Sequence, residues 1–214
     1  IYSLRWLFRT DFPVLIPRSI KESYDYMAHL VLLIILGAFL GVGGWQLIVW
    51  LGETRDKNRK YRAASTHALE RSKPLLIVGG PWGSKRARHW LNKPAHGSGD
   101  VCVDIDRQAI DGHPHGIIAD VTHLPFPDKI FGAAFASHLL EHLPTTSAAR
   151  KALDELNRVA EAVFIVSPSR QSIAGWIIAD HHLWVWQKGD RTYLKQRGKP
   201  GIEEEYCCQT SRQR

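Results

Sequence analysis

Residues 115–143 read HGIIADVTHLPFPDKIFGAAFASHLLEHL, and this stretch decides the fold. A short apolar run at 116–119 closes on Asp120, Leu124-Pro125-Phe126 follows, and a second run, FGAAFAS at 131–137, ends in His138-Leu-Leu-Glu141-His142. Brief, continuous apolar runs bounded by Asp, Gly or Pro suit strands buried on both faces of a parallel sheet. Similar runs stand at 75–80 (LLIVGG), 101–106 (VCVDID) and 162–167 (AVFIVS). Ala152, Leu153, Leu156, Val159 and Ala160 recur at helical spacing behind a Thr-Thr-Ser start, which supplies an N-cap. The pattern predicts an α/β domain, a mostly parallel sheet with helices on both faces. Further on, 182–186 and 191–195 alternate around a Gly-containing turn like a β-hairpin.

The central stretch resembles the middle of a seven-stranded, Rossmann-like S-adenosylmethionine-dependent methyltransferase of the type 11 kind, and the resemblance covers 75 to about 195. It implies a set of roles. The glycine-rich turn after the first strand, Gly79, Gly80 and Gly83, would approach the methionine and ribose of S-adenosylmethionine. Asp104 would accept from the ribose hydroxyls beside Ile105, with Asp106 as the runner-up. Asp120 would accept from the adenine amino group beside Val121, and Leu124 and Phe126 would cover the ring. His138 and His142 would border the acceptor and are the candidate catalytic bases, while Asp180, His181 and His182 form a second polar cluster near the acceptor.

Each assignment has a plainer rival. Asp104 is also an ordinary strand-end turn residue, Asp120 an Asx turn before Thr122, and either histidine a structural one. The glycine turn departs from the family: Ile77 stands where an acidic residue is usual, and Pro81, which has no N–H, replaces the middle glycine beside a bulky Trp82. A phosphate-binding P-loop fits worse, because Gly83-Ser-Lys-Arg has neither its spacing nor its hydroxyl. His138-Leu-Leu-Glu141-His142 also has the order of an inverted zinc-peptidase motif. That reading requires a helix already formed at His138, where the preceding run looks like a strand.

Upstream, Leu30 to Gly52 forms 23 residues without a charge. At about 1.5 Å rise per residue this crosses a hydrocarbon core of roughly 30 Å. A signal peptide would have a shorter apolar region and a small-residue cleavage site, whereas this run ends with Trp45 and Trp50. Arg55, Lys57, Arg59, Lys60 and Arg62 crowd the end of the run, and only Arg18 and Lys21 fall in the 15 residues before it. The basic excess places the C-terminal domain in the cytoplasm. The expected organisation is an interfacial arm at 1–27, a transmembrane helix at 28–52, a basic juxtamembrane linker at 53–72, the methyltransferase-like domain at 73–198 and a tail at 199–214. The chain begins at Ile1, so its N-terminal edge carries no argument.

Residues 73–214 hold eighteen Lys/Arg against fifteen Asp/Glu. A soluble part that is only mildly basic, with no basic groove interleaved with aromatics, argues against a nucleic-acid partner. The concentrated charge lies where lipid headgroups would be. Cys102 reads as a small core residue and the adjacent Cys207 and Cys208 as poor partners for each other, which fits a reducing compartment. Two functions remain open: a membrane-anchored methyltransferase acting on an unknown acceptor, or a noncatalytic, methyltransferase-like accessory subunit of a respiratory, photosynthetic or transport complex. Gly37-x-x-x-Gly41 in the span would let the latter pack against other transmembrane subunits.

Overall fold

The computed structural model describes residues 18–79, 99–111, 113–189, 191–198 and 204–207. The chain divides into two compact units, Ile1–Trp45 and Gln46–Arg214. In the first unit, the apolar side chains from Leu30 to Trp45 are exposed, and a Cβ added to Gly37 or Gly41 would meet nothing within 4 Å. These residues belong to α1, Arg18–Glu70, the one helix among the described residues that is long and apolar enough to cross a membrane. It takes in the last ten residues of the expected arm, and it continues through the expected linker.

The second unit is built on a five-stranded sheet, β1 (Leu75–Val78), β2 (Val101–Asp104), β3 (Gly116–Ile118), β4 (Phe131–Ser137) and β5 (Ala160–Val166). The strand order is β3-β2-β1-β4-β5 and every pairing is parallel. Parallel strands need crossovers, and here these include the short helix α2 (Arg107–Ile110) and the longer α3 (Thr146–Val159). The expected N-cap is present: the Thr145 hydroxyl accepts from the amide of Ala148 at 3.1 Å.

Side chains alternate along each strand, so the sheet has two apolar faces. Leu76, Val78, Ala134, Ala136, Val163 and Ile165 join the core cluster that contains the α3 stripe Ala149, Ala152, Leu153, Leu156 and Val159. Their neighbours Leu75, Ile77, Ala133, Phe135, Ala162 and Phe164 point to the other face and pack with Ala64 and Ala68 of α1. The stretch read as a linker is therefore the cover of one sheet face. Its alanines, one turn apart, let the helix come close, and their small size also hid the stripe among charged neighbours.

Gly132 allows that approach, because a Cβ there would lie 2.8 Å from the Ala68 Cα, which is backbone and cannot swing aside. Gly132→Leu is expected to destabilise the domain by about 3 kcal/mol, the upper end for overpacking. A lowered denaturant midpoint with unchanged slope would show it, and an unchanged midpoint would mean the helix stands off the sheet.

After β5 come a short helix, α4 (Ile173–Ile177), and three strands, β6 (Leu183–Lys188), β7 (Arg191–Gln196) and β8 (Glu204–Cys207). The hairpin forms as the alternation suggests, but β6-β7-β8 is a separate antiparallel sheet rather than an extension of the parallel one. β8 lies in the segment read as a tail. It pairs with β7, and Arg150 Nε donates to Glu204 Oε2 at 2.7 Å, tying it to α3. Cys102 is fully buried, and burial, then the Asp104 carboxylate, pushes its thiol up to about 12. It is the small core residue the sequence suggests.

Candidate functional site at the carboxyl edge of the parallel sheet

In an open parallel sheet, ligands bind beyond the carboxyl ends of the strands, beside the point where strand order reverses. That point here lies between β1 and β4. Gly79 follows β1 with φ at 89°, a left-handed conformation, and its amide donates to the Val103 carbonyl at 3.2 Å. A Cβ on Gly79 would lie 2.7 Å from the Leu139 Cβ, so only glycine lets the turn after β1 meet the turn after β4. Ile77, where an acidic residue is usual in the resembled family, is fully buried in β1. Gly80, Pro81, Trp82 and Gly83 lie outside the described residues.

Asp104 closes β2 half-buried, with its Oδ1 accepting from the Asp106 amide at 2.8 Å. Asp106 itself caps α2 through the Gln108 amide at 2.9 Å, a structural task that leaves Asp104 as the better ribose candidate. Ile105 beside them is 73% exposed, a large apolar group on this edge. Asp120 follows β3, and its Oδ1 accepts from the Thr122 amide at 2.8 Å. That hydrogen bond is the main cause holding its carboxyl below the ordinary aspartate value. The Asx turn and an ionised acceptor are thus compatible at one residue.

Val121, expected beside the adenine, and Leu124 and Phe126, expected to cover it, all pack toward the core. Val121 and Leu124 are buried in the main core, and Phe126 packs edge-to-face on Phe131 at 4.9 Å between centroids. Their apolar side chains are drawn inward because α3 lies beneath them.

A clamp invisible in the sequence holds this loop. Arg158 of α3 donates from Nη1 to the Phe126 carbonyl at 2.7 Å and from Nη2 to the Leu124 carbonyl at 2.9 Å, and it pairs with Glu155 and Asp128. Glu155 Oε2 in turn accepts from the Leu124 amide at 2.8 Å. Arg158, and secondarily the Leu124 amide, keeps the Glu155 carboxyl below its ordinary value of 4.5. A carboxyl depressed in the folded state adds stability above its unfolded pKa and loses it as pH falls through the folded one. Arg158→Met is expected to cost about 2–3 kcal/mol at neutral pH. It should also flatten the loss of stability from pH 4.5 downward, and denaturation curves across that range would check both.

After β4 the chain turns sharply. His138 has φ at 54°, an uncommon conformation for a residue with a side chain, and its amide donates to the Val166 carbonyl of β5 at 2.9 Å. A 3₁₀ turn, Leu140–His142, follows. His138 therefore sits outside any helix, and the helical face required by the inverted zinc-peptidase motif does not form.

The turn instead gathers a polar cluster. Glu141 is 1% exposed, neither of its oxygens makes a hydrogen bond among the described residues, and His138 Nδ1 is 3.3 Å from its Oε1. The His142 and His181 rings meet edge-to-face at 4.8 Å. His181 Nδ1 donates to the Gly175 carbonyl at 3.3 Å, and burial holds this imidazole below the ordinary histidine value. Burial likewise lowers Lys57 of α1, opposed by the Glu141 charge.

Ligand atoms of Glu141, His142 and His181 lie within 4.8 Å of one another, a spacing at which a metal ion could be held. The electrostatic coupling of Glu141 to Lys57 competes with that use. His181 belongs to the second polar cluster noted in the sequence, but its junction with Glu141 and His142 joins segments forty residues apart and had no local signal.

Residues 83–162 match the sequence model of a family described as a methyltransferase domain. No curated protein matches the chain. Among solved structures, similarity is found to the PH0226 protein of Pyrococcus horikoshii OT3, at 13% identity and a TM-score of 0.35, over 64% of this chain and 70% of that one. A chain from the complex formed by the Haloferax volcanii Trm112 methyltransferase activator is 15% identical with a TM-score of 0.32, over 67% of this chain and 77% of that one.

Proposed function

We propose that the protein is a membrane-anchored methyltransferase that uses S-adenosylmethionine, with its catalytic domain on the cytoplasmic side. Its parallel sheet in the order β3-β2-β1-β4-β5 is a Rossmann-like methyltransferase fold, and a methyltransferase-domain match takes in β2, β3 and β4 and ends in β5. The observation that carries the functional reading is the convergence of Gly79, Asp104 and Asp120 on the carboxyl edges of three adjacent strands. The anchor rests on the uncharged run of α1, and the orientation on the basic residues beyond it.

These residues fit the cofactor. Asp104 would accept from its ribose hydroxyls, Asp120 from its adenine amino group, and the exposed Ile105 would line the adenine side. The left-handed Gly79 would let the main chain come close where a Cβ is already excluded by Leu139. S-adenosylmethionine supplies a methyl group on a positively charged sulfur, ready for attack by a nucleophilic oxygen, nitrogen or sulfur. The protein's own task is to align the acceptor and to take its proton. His138 would take that proton: its ring is partly exposed, and Glu141 on its Nδ1 side would leave Nε2 as the accepting atom.

The accessory-subunit reading is favoured by the departures of the glycine turn, Ile77 and Pro81, and by the separation of β6 and β7 from the parallel sheet. In that reading Gly37 and Gly41 pack against neighbouring helices. Titration calorimetry of the full chain in mild detergent separates the two. The full chain is needed because α1 covers one face of the sheet. Micromolar to submillimolar binding of S-adenosylmethionine is expected, and a folded protein that binds none at millimolar concentration would leave the accessory role.

A further inference from the structure

Gln46 is the only polar side chain between Leu30 and Gly52, and it is spent on the globular domain. Its Oε1 accepts from the Ile173 amide at 2.8 Å and its Nε2 donates to the Gln171 carbonyl at 3.0 Å. Both partners stand at the start of α4. One turn further along α1, Val49 is buried, and Glu53 Oε1 accepts from the Ser169 amide at 2.6 Å. The segment 169–173 thus runs along the last part of the apolar run, from Glu53 back to Gln46. Six residues separate Gln46 from Gly52, which at 1.5 Å each puts α4 roughly 9 Å inside the end of that run.

What α4 shows at this level is apolar. Ile173, Trp176, Ile177 and Ile178 are exposed by 41%, 55%, 74% and 41%. Four large apolar groups exposed within six residues make an unusual surface in water. An interfacial segment carries its apolar face roughly 5–10 Å into the boundary between headgroups and acyl chains, which matches the depth set by Gln46. The exposed Arg55, Arg59 and Arg62 lie farther along α1, past Gly52, where headgroups would be. The occupant of this patch is therefore a lipid surface continuous with the one around α1.

The same segment touches the acceptor side of the site. The Gly175 carbonyl of α4 holds His181, the His181 ring packs on His142, and His142 ends the turn that begins at His138. We propose that α4 lies in the bilayer surface and opens the acceptor side of the carboxyl edge toward lipid, so that the methyl acceptor is a lipid-soluble molecule. This rests on the membrane-anchored methyltransferase reading, and its tests are chosen to fail separately from it.

The first test places a nitroxide at Ile177→Cys, at Phe39→Cys within the apolar run and at Lys188→Cys at the end of β6, in full-length protein in phosphatidylglycerol-containing nanodiscs. Cys207 and Cys208 are replaced by Ser, and the buried Cys102 is retained. Collisions with oxygen relative to a water-soluble nickel chelate are expected to be several-fold higher at positions 177 and 39 than at 188. An aqueous ratio at 177 with a lipid ratio at 39 overturns the inference and leaves the anchor standing. An aqueous ratio at 39 as well defeats the membrane reading itself. Spin–spin broadening at 177 would assign the patch to a second copy of the chain, which also overturns the inference.

The second test adds S-adenosylmethionine tritiated in the methyl group to the protein in membranes of the cells that make it. Label extracted into chloroform is the expected result. Label confined to protein or water-soluble molecules overturns the lipid-soluble acceptor, and no transfer at all counts against the enzyme rather than against the position of α4.

Discussion

His138→Asn is expected to lower kcat for methyl transfer by about 10²–10⁴-fold, the range for loss of a positioned general base, while KM for S-adenosylmethionine stays nearly unchanged. Asparagine is the informative replacement. The backbone at 138 is left-handed, a conformation that Asn adopts more readily than most residues, so the turn after β4 should survive while the imidazole is lost. A non-glycine residue held there stores strain of order 1–3 kcal/mol, and such strain is commonly kept where a side chain must be aimed.

Glu141 acts through His138 rather than on the substrate, so Glu141→Gln should move the pH profile of kcat while retaining more activity. Rates measured at saturating concentrations of both substrates, alongside thermal unfolding, separate the roles. Equal kcat in His138→Asn and the parent would reduce His138 to a strand cap.

Asp104→Ala is expected to weaken S-adenosylmethionine binding by about tenfold to a hundredfold. Hydrogen bonds from neutral hydroxyls to a carboxylate contribute about 1.5–3 kcal/mol, which converts to that range of affinity. The carboxylate is half-buried at the end of β2 and its Oδ1 already holds the Asp106 amide, so part of the loss will come from loosening the turn into α2. Asp104→Asn divides the two effects: it keeps an oxygen for the amide and removes the charge. If the Asn variant binds as the parent does, the ribose does not rest on this residue. Calorimetry gives the affinities, and the accessory reading gains if neither parent nor variant binds.

Much of the parallel sheet was legible in the sequence because its strands are buried on both faces. FGAAFAS at 131–137 coincides with β4 residue for residue, and the Thr145 cap marks the start of α3. Elements whose partners are distant were not legible. β8 is a four-residue strand rich in glutamate, defined by its register with β7 and not by any alternation of its own. The covering role of α1 rests on Ala64 and Ala68, side chains too small to stand out from the arginines and lysines around them.

At the site, the resemblance to a methyltransferase singled out Gly79, Asp104 and Asp120, and the structure brings them to one edge because a parallel sheet delivers all its strand ends there. The Glu155–Arg158 clamp was missed, because a charged pair one turn apart on an exposed-looking helix reads as a solvated face. Only the carbonyls of Leu124 and Phe126, more than thirty residues earlier, give Arg158 its role.

The covering of the sheet by α1 also fixes an order of events during synthesis. Ala64 and Ala68 are made more than sixty residues before Phe135 and almost a hundred before Phe164, the side chains they pack against. β1 is likewise made before either β2 or β4 exists to flank it. Contacts so far apart along the chain close slowly, because the loop between them must first be brought together. β1 must therefore wait on the ribosome until β2 and β4 have emerged to flank it, and the α1 alanine face until β4 and β5 have both emerged. A pause in translation upstream of Phe131 would hold a nascent chain with its first helix complete and neither of the strands that carry Phe135 and Phe164.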